Sequence, residues 1–296
     1  MLSKCSFSPL LAFGVLVTAV LPGCSRELPA EGIVLATPEP GRERSARPDP
    51  SAPAAARVPT LSGTPSVSSA TRGGEGVAVV ELFTSEGCSS CPPADTVLAN
   101  LTARANASSL PVYTLSFHVD YWNYLGWRDR FSSSSYSERQ QAYSGISANG
   151  GTYTPQVVVN GAAECIGSDS SRIDALIDSA LKRQSRTQIE LDARRSAQGV
   201  EVAYRVSGDT NGRVLNLALL EPRAESQVEH GENAGERLTH VNVVRVFTSR
   251  KLSDGTAGHW TLPAGPDFTA RRVGVVAFAE DASQRDVSGA TALELP

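Results

Sequence analysis

Apolar residues change their spacing partway along this chain, and the two spacings predict two kinds of structure. In the first part, the continuous apolar runs VAVVELFT (77–84) and LPVYTLSFHVD (110–120) predict buried strands. Between them, apolar residues recur every three or four positions, which predicts a helix over about 91–105. Pro92 and Pro93 fit such a helix only in its first turn, where a missing N–H does no harm.

The following segments continue this alternation of strand and helix. SSYSERQQAY (134–143) has helix-forming composition in its second half. TPQVVVNGAAECIG then predicts a strand to Val159, an Asn-Gly hairpin turn and a short return strand ending near Ile166. Ser168 or Asp169 would cap a last helix with a regular apolar face. The predicted order is therefore β-α-β-α-β-β-α, which is typical of an α/β domain.

Downstream of this α/β region, which we assign to 74–184, apolar residues recur with a period of two. TQIELDA, VEVAYRV, RVLNLALL, HVNVVRVF and RRVGVVAFAE are separated by turn sequences such as SGDTNG and SDGTAG. Such alternation over short runs predicts half-buried strands. We therefore predict that 185–296 form an all-β, sandwich-like domain.

The N-terminal region belongs to neither domain. A short basic start precedes FSPLLAFGVLVTAVLPG, an apolar run typical of an export signal and shorter than a membrane-spanning helix. The string VLPGCS resembles a bacterial lipobox, so we predict a signal peptide over 1–24 with a lipid on Cys24. Ordinary cleavage without a lipid is the alternative. Residues 25–73 are rich in Pro, Ala, Ser and charged residues, which predicts a disordered linker.

These features predict a protein on the periplasmic side of the cell envelope, anchored to the membrane by its lipid, or otherwise secreted. The 296-residue chain carries 27 Lys and Arg against 31 Asp and Glu, a formal net charge of -4. Because it lacks a basic excess, we expect no nucleic-acid partner.

Cysteine usage is informative in an oxidising compartment, where disulfides persist. Of the five cysteines, Cys5 lies in the export signal and Cys24 in the lipobox. Cys88, Cys91 and Cys165 remain for the folded part, and an odd number leaves one of them unpaired. The apolar context AAECIG favours a small buried thiol at Cys165.

Cys88 and Cys91 form a C-x-x-C motif at the predicted junction of the first strand and the first helix. In a thioredoxin-like order of elements, this position is a redox signature. A cysteine at a helix N-terminus is stabilised as the thiolate, so we expect Cys88 to be exposed and to attack, and Cys91 to resolve the mixed disulfide. A permanent local disulfide and a metal-binding pair are the alternatives.

Four strings resemble one family in the right order: VELFTSEGCSSCPPAD, FHVDYWNYLGWRD, YTPQVVVNG and GENAGERLTHVNVVR. They are similar to the secreted family catalogued as domain of unknown function 1223. The resemblance covers about residues 76–280. It implies a thioredoxin-like fold with a β-rich C-terminal portion, and it leaves the chemistry open.

The likeness to thioredoxin-like proteins implies roles for three further residues. Pro155 matches the proline that is cis in such proteins and faces the disulfide, a conformation that costs little at an X-Pro bond. Its neighbour Thr154 would offer backbone groups to a bound substrate chain. Glu81 matches a buried acid that assists proton transfer from the resolving cysteine, although it could equally be a differently paired carboxylate.

HVDYWNYLGW combines polar and aromatic residues at the end of the second predicted strand. His118 and Asp120 lie at the edge where α/β sheets gather ligands, and Trp122 follows directly. One interpretation is a substrate-binding wall in which His118 tunes a cysteine or binds a metal. The other is that the aromatic residues pack under a loop and that His118 is an ordinary core histidine.

From these patterns we expect a thiol–disulfide oxidoreductase of the cell envelope that needs no cofactor or metal and acts on thiols or disulfides of exported proteins. A second hypothesis is a soft-metal protein in which Cys88, Cys91 and His118 hold an ion such as Cu(I). A third is a non-enzymatic binding module in which the cysteines form a structural disulfide.

Overall fold

The computed structural model describes residues 61, 66–71, 73–147, 150–265, 268 and 270–296. The predictions for the signal peptide, for Cys24 and for most of the linker lie outside these residues. Within the described ranges, no helix is both long enough and apolar enough to cross a membrane. The described part is a mixed α/β structure that is mostly β.

Twelve strands and three α-helices make up the described part. The strands are β1 (Val67–Ala70), β2 (Ala78–Thr84), β3 (Val112–His118), β4 (Gln156–Val159), β5 (Ala163–Ile166), β6 (Thr187–Ser196), β7 (Gly199–Gly208), β8 (Arg213–Gln227), β9 (Arg237–Lys251), β10 (Ala257–Pro263), β11 (Val273–Asp281) and β12 (Val287–Leu295). The helices are α1 (Pro92–Ala107), α2 (Ser134–Gln141) and α3 (Ser170–Leu181). The predicted order of elements up to α3 is confirmed.

The larger sheet has eight strands in the order β12-β11-β8-β9-β3-β2-β4-β5. β2 and β3 are parallel, and β9 joins them by running parallel to β3, with Ser116 opposite Val243. The sheet therefore runs without interruption from the α/β region into the β-rich region. The sequence predicted two successive domains, but the boundary at 184/185 does not divide this sheet, and the described residues fall in one compact unit.

Helices cover both faces of the α/β end of the larger sheet. Because side chains alternate along a strand, Val80 and Leu82 of β2 pack under α1 and α3, whereas Val79 and Phe83 pack on the other face, towards α2. The two faces form separate apolar clusters. Along the chain, α1 follows the C-terminal end of β2, and the two cysteines lie in the connection between them.

A second sheet, in the order β1-β6-β7-β10, packs against the β-rich end of the first. The core between the two sheets contains apolar side chains from both of them: Ile189, Leu191, Val202, Tyr204, Leu217, Leu219 and Val275. Two sheets facing one another across a core agree in part with the predicted sandwich-like domain. The difference is that one of the two sheets continues into the α/β region.

The predicted linker is wrong at its C-terminal end. Val67–Ala70 forms β1, which pairs with β6 from Val67 opposite Ala193 to Ala70 opposite Glu190. Thr71 then donates its hydroxyl to Ala290 O at 3.0 Å. Composition did not predict this strand, because a strand at the edge of a sheet can be held by backbone hydrogen bonds to its neighbour and needs few apolar residues of its own.

Candidate functional site

Cys88 and Cys91 form a disulfide at the junction of β2 and α1, with their Cα atoms 5.5 Å apart. Cys91 is the N-cap residue of α1, and prolines occupy the first two helical positions, as predicted. Cys91 O accepts hydrogen bonds from Ala94 N at 2.9 Å and from Asp95 N at 3.1 Å. The helix therefore starts immediately after the second cysteine and fixes its backbone.

The Thr154–Pro155 peptide bond is cis, as predicted, and its segment contacts the first cysteine. Thr154 donates its hydroxyl to Cys88 Sγ at 3.3 Å. Trp122 Nε1 in turn donates to Thr154 Oγ1 at 2.8 Å, and Ser90 Oγ donates to Thr154 O at 3.5 Å. The structure thus brings Trp122 and Thr154 together beside Cys88.

The sequence predicted an exposed Cys88, and this part of the prediction is wrong. Both cysteines are 0% exposed, although Ser89 and Ser90 between them are exposed. The loop between β8 and β9, residues 228–236, lies on this segment and is called the cover loop below. Asn233 of this loop contacts the C-x-x-C segment from 145 positions along the chain, and nothing in the local sequence of the motif indicates such a contact.

Asn233 and Glu232 hold the cover loop against the C-x-x-C segment. The Asn233 amide donates to Glu86 O at 2.9 Å and to Cys88 O at 3.0 Å. Glu232 Oε2 accepts from Ser89 N at 2.9 Å, and this hydrogen bond lowers the pKa of Glu232 below its ordinary value. The GENAGER string, which the sequence analysis quotes only for the family resemblance, is therefore part of the site.

Five ionisable side chains lie close together beneath the start of α1, and we call them the acid–histidine cluster: Glu86, Asp95, His118, Asp129 and His240. His118 Nδ1 lies 2.7 Å from Asp129 Oδ2, with both side chains fully buried. Asp129 also accepts from Glu86 N and from Phe131 N, each at 2.9 Å. Burial would raise the pKa of Asp129, but His118 and these backbone hydrogen bonds lower it below its ordinary value.

His240 reaches the cluster from β9. Its Nε2 lies 3.4 Å from Glu86 Oε1 and its Nδ1 lies 3.5 Å from Asp95 Oδ2. These are ion-pair distances, and neither ring nitrogen makes a hydrogen bond of normal length within the described residues. Burial by itself would lower the pKa of His240, but the two carboxylates outweigh it and raise the pKa to about 10. The two carboxylates therefore favour the imidazolium form of His240.

Glu81 is not among the residues that the structure brings to the cysteines. It lies on the α2 face of the sheet, where Arg139 Nη2 donates to its Oε1 at 3.0 Å and the Tyr143 hydroxyl donates to it at 2.7 Å. Arg139 also pairs with Glu280 at 3.1 Å. The structure therefore gives Glu81 a buried ion pair on the opposite face, in agreement with the alternative of a differently paired carboxylate.

The residues of the predicted substrate-binding wall have three different surroundings. Asp120 accepts from the Ser137 hydroxyl of α2 at 2.5 Å, so it is bonded to a neighbouring helix. Trp127 Nε1 donates to Glu86 Oε2 at 2.7 Å, which links the acid–histidine cluster to the loop after β3. Tyr124 is 78% exposed. Asp120 is therefore held by α2, whereas Trp122 contacts Thr154 beside Cys88 and Trp127 contacts Glu86 of the acid–histidine cluster.

Cys165 is a free, buried cysteine on β5, opposite Val157. Burial, together with the nearby carboxylates of Asp169 and Glu164, raises the pKa of its thiol to about 11. It packs in the apolar cluster beneath α1 and α3. The prediction of a buried unpaired thiol is confirmed.

The described residues contain no group of three or more His, Cys, Asp or Glu side chains placed to hold a metal ion. His118 is bonded to Asp129 and stacks edge-on against His240, with ring centroids 4.6 Å apart. The soft-metal hypothesis therefore gains no support from this geometry.

The fold and the site define a class of mixed α/β protein in which a covered disulfide joins a strand to a helix above a buried acid–histidine cluster. The chain belongs to the family described as Protein of unknown function (DUF1223), whose model matches residues 79–280. No functionally curated protein matches the chain.

Two solved structures are similar to this chain. A crystal structure of an Agrobacterium tumefaciens protein shares 30% sequence identity with a TM-score of 0.51, covering 75% of this chain and 95% of that one. HBP35 of Porphyromonas gingivalis shares 13% identity with a TM-score of 0.52, covering 76% of each chain. The second likeness shows the fold alone.

Proposed function

We propose that this chain is a thioredoxin-like thiol–disulfide oxidoreductase of the cell envelope, with Cys88 as nucleophile and Cys91 as resolving cysteine. Support for the fold comes from the strand order β3-β2-β4-β5, with α1 and α3 on one face and α2 on the other. The disulfide at the end of β2 and the cis Thr154–Pro155 bond beside it fit the same arrangement.

The contact between Thr154 and Cys88 is the observation that carries the proposal. Thr154 Oγ1 lies 3.3 Å from Cys88 Sγ and 2.8 Å from Trp122 Nε1. A hydroxyl held in this position can donate a hydrogen bond to a thiolate and so stabilise the attacking form of Cys88. A disulfide that only fastens a loop needs no such donor.

The reaction requires no cofactor, because the electrons move between sulfur atoms. The Cys88 thiolate attacks one sulfur of a substrate disulfide, a Cys88–substrate bond forms, and the other substrate sulfur leaves as a thiolate. Cys91 then attacks Cys88 Sγ, forms the Cys88–Cys91 bond and releases the second substrate thiolate. The substrate gains two electrons and the cysteine pair loses two; the reverse sequence oxidises a substrate dithiol.

We propose that the substrates are thiols or disulfides of exported proteins. The support is the N-terminal sequence, which predicts an export signal and a lipobox with Cys24 as the lipid-bearing residue. The chain would then act from the membrane surface on the periplasmic side. Because Cys88 is buried, a protein substrate would reach it only after the surrounding segments move, and the cover loop that is bonded to the C-x-x-C backbone is one of them.

A structural disulfide in a non-enzymatic binding module is the second candidate. It is favoured by the complete burial of both cysteines and by the hydrogen bonds from Asn233 and Glu232. In that case the disulfide would resist mild thiols in the folded protein.

Trapping with single cysteine variants tests the proposal. Reduced protein is mixed with scrambled, disulfide-bonded ribonuclease A, and covalent adducts that reductant can cleave are counted. Cys91→Ser should accumulate a mixed disulfide, because attack succeeds and release is blocked, whereas Cys88→Ser should accumulate little. Cys165→Ser is the matched control and should behave like the unaltered chain.

Equal trapping by Cys91→Ser and Cys88→Ser would remove the assigned roles. Absence of adducts from both variants, together with a disulfide that dithiothreitol fails to reduce in the folded chain, would establish the structural candidate instead.

A further inference from the structure

The Thr154 hydroxyl lies between an indole N–H and a sulfur atom. Trp122 Nε1 lies 2.8 Å from Thr154 Oγ1, which in turn lies 3.3 Å from Cys88 Sγ. An indole N–H can only donate, so Thr154 Oγ1 accepts this hydrogen bond. A hydroxyl carries one proton, and with Trp122 on one side of the oxygen that proton is free to point at the sulfur. The chain of hydrogen bonds therefore has one direction, from Trp122 through Thr154 to Cys88.

Trp122 is held in place where the loop after β3 meets the C-x-x-C connection. Its carbonyl accepts a hydrogen bond from Leu125 N at 3.2 Å, at the start of a short 3-10 turn. Its Cβ packs against Gly87, where an added side chain would begin 3.1 Å from it. The ring packs against the apolar cluster on the α2 face of the sheet. The position of the indole is therefore set by its own surroundings and does not depend on Thr154.

The segment that carries the cis peptide bond is fixed from α2 as well. The Gln140 side-chain amide donates to Tyr153 O at 2.7 Å and to Gln156 Oε1 at 2.9 Å, on either side of the cis bond. The Tyr121 hydroxyl donates to Gln140 Oε1 at 3.0 Å. Two consecutive residues of the HVDYWNYLGW string thus act on one segment, Tyr121 through Gln140 and Trp122 directly.

Without Trp122, the Thr154 hydroxyl would have a choice of acceptors. Burial raises the pKa of Tyr121, and hydrogen bonds with Gln140 and Thr154 oppose this effect, so Tyr121 lies within reach of Thr154. The Thr154 proton could then turn towards the Tyr121 oxygen and away from the sulfur. Trp122 restricts this rotation, because the hydroxyl must keep a lone pair facing the indole.

Resting on the proposed function, we propose that Trp122 is a positioning residue for Cys88: it holds the Thr154 hydroxyl with its proton directed at Cys88 Sγ. Once the Cys88 S–H proton has left to solvent, this hydroxyl stabilises the negative charge on the sulfur. The bond from Trp122 also polarises the hydroxyl and makes it a stronger donor. A stabilised thiolate favours the reduced cysteine pair, so the same contact makes the disulfide a stronger oxidant of substrate dithiols.

Other groups that face Cys88 stay unchanged in the variants that test this role. Ser90 Oγ lies 3.3 Å from Cys88 Sγ and can donate to it. Glu232 contributes a carboxylate to the same segment, and the acid–histidine cluster contributes the charges beneath it. A difference between variants at positions 122 and 154 therefore reports the hydrogen bonds and not these charges.

Ionisation of Cys88 can be measured without a reagent that must enter the site. The full chain carries serine at the other four cysteines, so Cys88 is its single thiol. The ultraviolet absorbance of the thiolate is followed against pH, and the titration of a chain that also carries Cys88→Ser is subtracted. Near-UV circular dichroism verifies that each variant is folded.

Trp122→Phe keeps an aromatic ring and removes the N–H. We expect it to raise the pKa of Cys88 by about half a unit, because the Thr154 hydroxyl becomes a weaker and less directed donor. Thr154→Val replaces the hydroxyl by a methyl group and should raise this pKa by about one to two units, since a hydrogen bond to a charged group contributes an energy of that size. Thr154→Ser, which keeps the hydroxyl, should recover most of the parent value.

The double variant separates a positioning role from a general effect of the ring. Trp122→Phe should add nothing to Thr154→Val, because residues that act through one hydroxyl are not additive. Trp260→Phe is the matched control, since Trp260 lies on β10 and packs against Tyr204 with ring centroids 5.9 Å apart. The indole N–H resonance of Trp122 gives a test that needs no change at position 122. It should shift with the same midpoint as the Cys88 titration and cease to do so in Thr154→Val.

An unchanged Cys88 pKa in folded Trp122→Phe, or an indole resonance that ignores the titration, would overturn this inference and leave the proposed function standing. A full Trp122→Phe shift in the presence of Thr154→Val would overturn it too, because the indole would then act by another route. A parent Cys88 pKa at or above the ordinary cysteine value of about 8.5, together with no trapped adducts, would overturn the proposed function itself.

Discussion

Removal of the Asn233 side chain should open the cover over the disulfide. Asn233→Ala deletes the two hydrogen bonds to Glu86 O and Cys88 O, at 2.9 and 3.0 Å. A typical intramolecular hydrogen bond contributes about 0.5–1.5 kcal/mol net, so the closed cover loses about 1–3 kcal/mol. The hydrogen bond from Ser89 N to Glu232 remains in this variant, so the cover loop keeps one of its contacts with the C-x-x-C segment.

That loss converts into a change of reaction rate. Since 1.4 kcal/mol is a factor of ten in an equilibrium constant, the open fraction should rise about 5- to 150-fold. When opening and closing are fast compared with the chemical step, the rate follows the open population. Reduction of Cys88–Cys91 by a protein reductant should therefore accelerate by the same factor.

Reduced thioredoxin serves as the bulky reductant and dithiothreitol as the small one, with freed thiols counted by maleimide alkylation. Asn233→Ala should increase the rate with thioredoxin more than the rate with dithiothreitol, because the small reagent needs less opening. Asn100→Ala, an exposed position on α1, is the matched control. An unchanged thioredoxin rate in a folded Asn233→Ala protein would refute the idea that this loop limits access.

Three further predictions follow from the buried charges and the N-terminus. The folded-state pKa of His240 is raised to about 10, above its ordinary value of 6.5, so its stabilisation is complete below about pH 6.5 and is lost as the pH rises towards 10; denaturant unfolding should show this decline in the parent chain and less of it in His240→Gln. Glu81→Gln should lower the free energy of unfolding, by up to about 3–5 kcal/mol, because it weakens the buried pair with Arg139, yet leave adduct trapping by Cys91→Ser unchanged; a loss of trapping in the folded double variant would return Glu81 to the redox site. Cys24→Ser should release the protein from membranes in a fractionation experiment, and a variant that stays membrane-bound would contradict the lipid anchor.

Local periodicity was sufficient for most of the α/β region. Val80 and Leu82, the helical spacing after Cys91 and the Asn-Gly turn each predict their element from a few neighbouring residues. The position of Glu81 could also have been predicted, because strict alternation places it on the face opposite Val80 and Leu82. The likeness to thioredoxin-like proteins matched Glu81 by its position along the strand and did not take into account which face of the sheet its side chain lies on.

The contribution of the β-rich region could not be predicted in the same way. Asn233 contacts Cys88 across 145 positions, and β9 joins β3 through a single register pair, Ser116 opposite Val243. Contacts between residues so far apart in the sequence leave no periodicity and no turn signal in either segment. His240 lies in an ordinary alternating strand, so its place between Glu86 and Asp95 follows only from the sheet order.

The central claim is that Cys88–Cys91 is an exchanging disulfide, and its reduction potential tests that claim most directly. The folded chain is equilibrated with glutathione buffers of graded composition, and the oxidised fraction is measured after acid quenching and alkylation. An exchanging Cys88–Cys91 disulfide should have a potential between about −270 and −120 mV, the range of thiol–disulfide oxidoreductases. A potential below about −300 mV, typical of structural disulfides in secreted proteins, would contradict it.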